Sequence, residues 1–199
     1  MKRLNIGYIG WLFHDETEYC RAYAVCDVNQ SKLNEYSSRH PEVKVYTDYR
    51  AMAEDPALDV VIISTPNWLH CEMTELFLSK GVHVFCEKPM GVNRNELDRM
   101  LTAQKKSEKN LSIDFEMRAS GGTKRIKEII DSGELGTVKG VEFTHHRGAW
   151  LNEGAMLWRT KPEKSGGYFF MEPCHEVDYF RFTMGEITHA QSFKFPNTL

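Results

Sequence analysis

No run of apolar residues in this 199-residue chain approaches the ~20 that a membrane-spanning helix needs. Positive charge is not in excess either: the net charge is -3, and nothing in that balance attracts nucleic acid. The five cysteines, Cys20, Cys26, Cys71, Cys86 and Cys174, form no C-x-x-C pair and no disulfide spacing. A stapled secreted scaffold is thereby excluded, and the thiols point to a reducing compartment, the cytoplasm. Internal repeats, low-complexity tracts and linkers are absent too. Lys2 and Arg3 precede an apolar stretch, but Asn5 and two glycines interrupt it, and His14, Asp15 and Glu16 follow without a small-residue cleavage site, so it reads as a first strand and not a secretion signal. The hydrophobic share of 41% and charged share of 27% are those of a folded globular protein with enough chain for one full domain and part of another.

Apolar runs of strand length, at residues 4–9, 22–26, 60–64, 82–86 and 111–115, alternate with segments of helical period. This is the pattern of βαβ units and a parallel sheet. The best-marked helix lies between the third and fourth runs: Asn67 can cap it, Leu69, Met73, Leu76 and Phe77 share a face, and Gly81 can end it. A second is expected over 95–106 with Leu97, Met100 and Leu101 inward, and a third over 123–132 with Ile126, Ile129 and Ile130 inward. After Gly136 the texture changes. Residues 138–145 alternate as a strand with one wetted face, a loop rich in Trp and Arg follows, then a helix over 175–184 and a final strand over 188–195. The expected organisation is a doubly wound domain over 1–119 and the start of a second domain over 120–199.

In a parallel doubly wound sheet the ligand crevice lies beyond the carboxyl ends of the strands. The residues found there are Gly10, Asp27, then Ser64, Thr65, Pro66 and Asn67, then Glu87, Lys88 and Pro89. Asp27 stands where an acid accepts the ribose hydroxyls of an adenine dinucleotide and repels the extra phosphate of NADP; it could equally be a helix N-cap. Thr65 to Asn67 could be a plain turn whose backbone lines the crevice. A lysine at the inner end of a buried strand needs a partner or a purpose: Lys88 could hold a substrate oxygen, or simply pair with Glu87 in a loop.

The stretch DVVIISTPNWLHCEMTELFLSKGVHVFCEKP, residues 59–89, resembles the diagnostic segment of the Gfo/Idh/MocA oxidoreductases, and the resemblance continues through 114–118, 129–136 and 158–185. It implies a Rossmann domain that binds NAD, followed by an α/β domain whose open, mainly antiparallel sheet walls the substrate site and often mediates homo-oligomers. It also implies a hydride transfer between the nicotinamide and a secondary alcohol of a sugar, polyol or cyclitol. The family's D-x-x-x-H-x-x-D pattern is matched by His175 and Asp178, while Met171 replaces its first acid and Glu172 stands one place off. By that resemblance His175 is the general base, Lys88 polarises the same oxygen, and His70 belongs with the cofactor residues. Arg118, Arg147, Arg159, Trp150 and Trp158 suit a polyhydroxylated substrate, with arginine for oxygens and tryptophan for a sugar's apolar face. Cys174 lacks a flanking base for a nucleophile's role, and His145 and His146 show no zinc spacing with His175.

One element of the pattern is broken. Where G-x-G-x-x-G should follow the first strand, the chain has Gly10, Trp11, Leu12, Phe13, His14, Asp15. The second glycine lets backbone approach a pyrophosphate and the third lets helix pack on strand, so Leu12 crowds and Asp15 repels. The crossover to Asp27 is also short of the ~20 residues usual for such units. The sequence therefore implies a deletion through the glycine loop and much of the first helix, and a second-domain sheet cut short. A non-catalytic or defective family member stands as the alternative to a working NAD-dependent dehydrogenase.

Overall fold

The computed structural model describes residues 2–14, 16–144, 154–191 and 193. Six parallel strands, β1 (Leu4–Ile9), β2 (Cys20–Cys26), β3 (Lys44–Tyr46), β4 (Val60–Ile63), β5 (His83–Glu87) and β6 (Leu111–Asp114), form one sheet in the order β3-β2-β1-β4-β5-β6. The chain winds outward from β1 to β3, returns to the middle as β4, and winds out the other way. The neighbours β1 and β4 therefore send their continuations in opposite directions, which opens a crevice at their carboxyl ends. This is the expected Rossmann order.

Alternation along the strands builds two cores. Val61, Ile63, Val84 and Cys86 face Met73, Phe77 and Leu78 of α3 (His70–Ser79), with Met52 of α2 (Tyr49–Ala53) in the same cluster. On the other face Tyr8 and Val25 meet Leu33 of α1 (Gln30–Arg39) and Val43. Helix α4 (Arg94–Ser107) starts at Asn93, whose side chain accepts from the Glu96 amide, and buries Met100, whereas Leu101 points outward. Asn67 does not cap α3. A 3₁₀ turn, Asn67–Leu69, precedes that helix, and the Asn67 amide instead donates to the Ser165 carbonyl at 3.0 Å. Gly81 ends the helix as expected, at φ +78°.

The first crossover contains no helix among its described residues. Ten extended residues span about 33 Å, more than the ~20 Å length of a six-residue strand, so the link from Gly10 to Tyr19 can return the chain without one. It is held by Gly10 N–H to Cys26 O at 3.0 Å, Leu4 N–H to Tyr19 O at 2.8 Å and a bridge between Glu16 and Arg21. Asp15 lies outside the described residues.

The chain divides into two compact units. The first comprises the sheet domain, Met1–Asp114, together with Arg147–Cys174; the second comprises Phe115–His146 and His175–Leu199. In the second unit α5 (Gly121–Asp131) replaces the helix expected two residues later, and Ile126 on it is exposed. The strand expected over 138–145 is not formed over 138–144, and 188–191 is likewise irregular; His145, His146, Arg147, Trp150 and residue 192 with 194–199 lie outside the described residues. A strand exists by hydrogen bonding to a neighbour, and among the described residues of this unit there is none. Its apolar residues Val141, Phe143 and Ile187 are exposed. No helix among the described residues is long and apolar enough to cross a membrane.

One carboxylate ties the sheet edge together. Asp55 accepts from Lys44 Nζ at 2.7 Å, Tyr46 OH at 2.9 Å, Tyr23 OH at 3.1 Å and the Ala57 amide at 3.0 Å. Burial pushes its pKa up, but Lys44, the Ala57 amide and the two phenols outweigh that and hold it at about 2. Because the folded value is depressed, the stabilisation is present above pH 3.8, the ordinary value, and is lost as pH falls through about 2. Asp55→Asn is expected to lower unfolding stability by about 2 kcal/mol at pH 7. Urea titrations at pH 7 and pH 3 check this: the gap between the two proteins must narrow at the lower pH.

Candidate active site

At the carboxyl ends of β2, β1 and β4 lies a crevice of about 420 Å³, lined by Gly10, Asp27, Ser64, Thr65 and Pro66 together with Thr47, Tyr49, Leu69 and Met73. Five of the expected cofactor residues thus share one wall-to-wall space. Gly10 has φ +87°, and a Cβ there would stand 2.5 Å from the Ser64 carbonyl oxygen. No side chain fits. Beneath them the Cys26 thiol is pushed up to about 12 by burial and by the nearby Asp48 and Asp27 carboxylates, so it stays protonated and inert.

Asp27 is buried at the end of β2, and it is not the cap of α1. That role belongs to Asn29, whose side chain accepts from the Ser31 and Lys32 amides. Asp27 instead takes the Asn29 amide on Oδ1 at 2.8 Å, while Oδ2 lies 3.3 Å from Lys32 Nζ. A second hollow of about 600 Å³ opens beside Gly10, between the link residues Trp11, Leu12 and His14 and the α1 residues Lys32, Tyr36 and Arg39. In it the rings of His14 and His40 stack at 3.7 Å and 15°, each with a nitrogen 3.9 Å from Glu42. Together with Glu42 the two rings bring three potential metal ligands into one group, with one ligand atom from each within 4.8 Å of the others.

His70 is fully buried and has no surface to offer a ligand. Its Nδ1 lies 2.8 Å from the Pro89 carbonyl and its Nε2 2.9 Å from the Thr65 carbonyl. Both partners are acceptors, so the neutral ring donates to one carbonyl and packs against the other, and only the imidazolium donates to both; in either form it lies between the loop after β4 and the loop after β5. Burial pushes its pKa down, against the pull of the two carbonyls. The Lys88 to Pro89 peptide is cis. Lys88 Nζ donates to the Met171 carbonyl at 3.0 Å, and its own amide donates to Glu87 Oε2 at 3.1 Å. Its ammonium thus reaches the short helix α7 (Tyr168–Met171). Glu172, next in the chain, is buried. Trp158 packs edge-on against Trp68 at 5.2 Å with the Arg159 guanidinium 5.6 Å from its ring, alongside α6 (Pro162–Ser165), which receives the Asn67 amide.

In the second unit His175, on α8 (Cys174–Met184), is buried, with Nδ1 3.4 Å from a Glu116 carboxylate oxygen and its ring edge-on to Phe115. Glu116, in the turn after β6, thus brings an exposed carboxylate to within ion-pair distance of that buried imidazole. Arg118 and Asp178, both expected to meet substrate, hold each other: Nε donates to Oδ2 at 2.7 Å and a terminal nitrogen donates to Oδ1. With Asp178 buried and its two oxygens taken, this pair joins the turn Glu116–Ala119 to α8.

Family models agree with this architecture. Residues 7–115 match the oxidoreductase family with an NAD-binding Rossmann fold, and residues 123–195 match the Gfo/Idh/MocA C-terminal domain. The chain belongs to the Gfo/Idh/MocA oxidoreductase family. It is 30% identical over 168 residues to the oxidoreductase YrbE of Bacillus subtilis, covering 84% of this chain and 48% of that protein. It is likewise 30% identical over 164 residues to a myo-inositol 2-dehydrogenase of Thermotoga maritima, covering 82% and 47%. Among solved structures, a levoglucosan dehydrogenase with NADH and levoglucosan superposes with a TM-score of 0.77 at 23% identity, over 93% of this chain and 55% of its own. The chain spans about half the length of the curated relatives it matches.

Gly10→Ala combines a left-handed backbone with a clash against fixed backbone, and is expected to cost about 2 to 4 kcal/mol of stability. His70→Ala removes the brace and is expected to cost a similar amount, about 3 kcal/mol, while raising amide exchange in both loops it joins. Denaturant titration with hydrogen-exchange mass spectrometry checks the pair: exchange unchanged in 64–67 and 87–90 would remove the brace.

Proposed function

We propose that this chain is the cofactor-binding part and the beginning of the substrate-binding part of an NAD(H)-dependent oxidoreductase acting on a secondary alcohol of a sugar, polyol or cyclitol. The observation that carries the reading is the crevice at the switch point, with a buried acid at the end of β2 and a lysine at the end of β5. NAD, when bound, supplies the acceptor for the hydride leaving the alcohol carbon. Asp27 takes the adenosine ribose hydroxyls, and the backbone of Ser64, Thr65 and Pro66 lines the dinucleotide's path. Lys88 polarises the substrate oxygen, and His175, with the Glu116 carboxylate at ion-pair distance, takes the alcohol proton. Glu172, Trp158 and Arg159 flank the substrate side, with Arg118 and Asp178 acting as the clamp that holds α8. The names of the relatives, an inositol dehydrogenase among them, support an oxidoreductase over a non-catalytic remnant. Five free thiols suit a cytoplasmic setting, and pairing of like subunits fits the exposed apolar face of the second unit.

The site departs from the usual one where it should grip the pyrophosphate. A helix N-terminus with a glycine turn offers converging amides and a positive dipole end, and neither is present in the described part of the link. NAD affinity is therefore expected to be weak, with a Kd above about 100 μM. Calorimetric titration of NAD into the protein tests this directly. Where turnover is found, by NADH absorbance on inositols and monosaccharides, Lys88→Ala and His175→Ala are each expected to lower kcat about 10² to 10⁴-fold. Either variant keeping more than a tenth of the parent rate would overturn that residue's role.

A further inference from the structure

The charge that reads the cofactor's ribose is not a lone carboxylate. Asp27 has one oxygen on the Asn29 amide and the other 3.3 Å from the Lys32 ammonium, and Lys32 lines both hollows beside Gly10. The acid's side chain is 8% exposed and the lysine's 57%. The anchor is thus fixed and its counter-ion can swing on a four-carbon stem. The other cations near the crevice are committed to acids of their own: Arg50 to Glu72 and Asp48, Arg39 to Glu35. Lys32 is the one whose partner is the ribose-reading acid itself.

We propose that Lys32 is a second determinant of cofactor choice, offsetting Asp27 and giving the 2′-phosphate of NADP a partner at this site. This rests on the reading that a dinucleotide occupies the crevice. Exclusion of NADP by an acid at the end of the second strand is electrostatic: the carboxylate repels a dianionic phosphate. Here an ammonium within ion-pair distance offsets part of that repulsion. It can also leave Oδ2 and donate to the phosphate, because an ammonium is a compact charge with three rotatable donors. With NAD, Lys32 stays on Asp27 and the carboxylate accepts the ribose hydroxyls. With NADP, Lys32 moves to the phosphate and Asp27 keeps the Asn29 amide. The chain therefore prefers NAD by a narrow margin and binds both.

The test is calorimetric titration of NAD and NADP into the unmodified chain, Lys32→Ala and Lys32→Arg, at low and high salt. Lysine 32 lies on the exposed face of α1, where alanine is a good helix former, so the variants fold. The alanine variant is expected to raise the NAD-to-NADP affinity ratio about tenfold, mainly by weakening NADP, and arginine is expected to restore it. In the unmodified chain NADP binding should also fall faster with salt than NAD binding. A ratio unchanged within about twofold in Lys32→Ala, with NAD still bound, overturns the role of Lys32 and leaves the cofactor reading intact. Binding of neither nucleotide to any of the three proteins overturns both.

Discussion

Everything in the candidate site hangs on the contact between the ends of β1 and β4. Gly10 adopts a left-handed backbone and sits so close to the Ser64 carbonyl that even a methyl group would collide with it. That approach lets the two central strands part in opposite directions with no side chain between them, and the parting is the crevice. His70 then fixes how wide the far side can be, because one imidazole spans the carbonyls of Thr65 and Pro89. The same loop is held from outside by Asn67 on Ser165 and by the Trp68 and Trp158 pair. A short, rigid frame of backbone contacts thus positions Asp27 and Lys88 before any ligand arrives.

Much of this frame was legible in the sequence, and the failures have local causes. The four inner strands β1, β2, β4 and β5 stand out because both faces of a parallel sheet are covered, so their runs are largely apolar, and the edge strand β6 shows by Leu111 and Ile113. The edge strand Lys44–Tyr46 has three residues, and α1 buries only Leu33, so neither carries enough apolar pattern to be seen. Asn67 looked like a cap because its residue type favours caps, yet a 3₁₀ turn and the Ser165 carbonyl claimed it. The strand expected over 138–145 has the right alternation, but alternation specifies a face, and a strand also needs a neighbour to pair with.

The site residues divide along the same line. Positions set by the carboxyl-end rule, Gly10, Asp27 and Ser64 to Pro66, came together in one crevice because topology alone delivers them there. Partners set by side-chain reach were not readable. Lys32 stands five positions beyond Asp27, and the first turn of α1 carries it back toward the carboxylate. Glu116 beside His175 and the mutual hold of Arg118 and Asp178 are of the same kind: contacts between segments some sixty positions apart, which spacing in a single chain does not announce.

The altered first crossover changes the physics of anion binding at this sheet more than its topology. A glycine turn feeding a helix presents several amides and a dipole end to a pyrophosphate, all prepaid by the fold and little affected by salt. Here the described part of the link is non-helical, and the positive groups beside its first half include Lys32, already shared with Asp27, and Arg39, already shared with Glu35. Such charges are exposed, screened by salt and costly in side-chain entropy to fix on a ligand. A non-helical link therefore offers a phosphate fewer fixed partners, while Asp27 and the ends of β4 and β5 keep the places that the doubly wound topology gives them. The topology marks the place for a dinucleotide at the carboxyl ends of the strands, and the link supplies little of the fixed polar backbone that such an anion needs there.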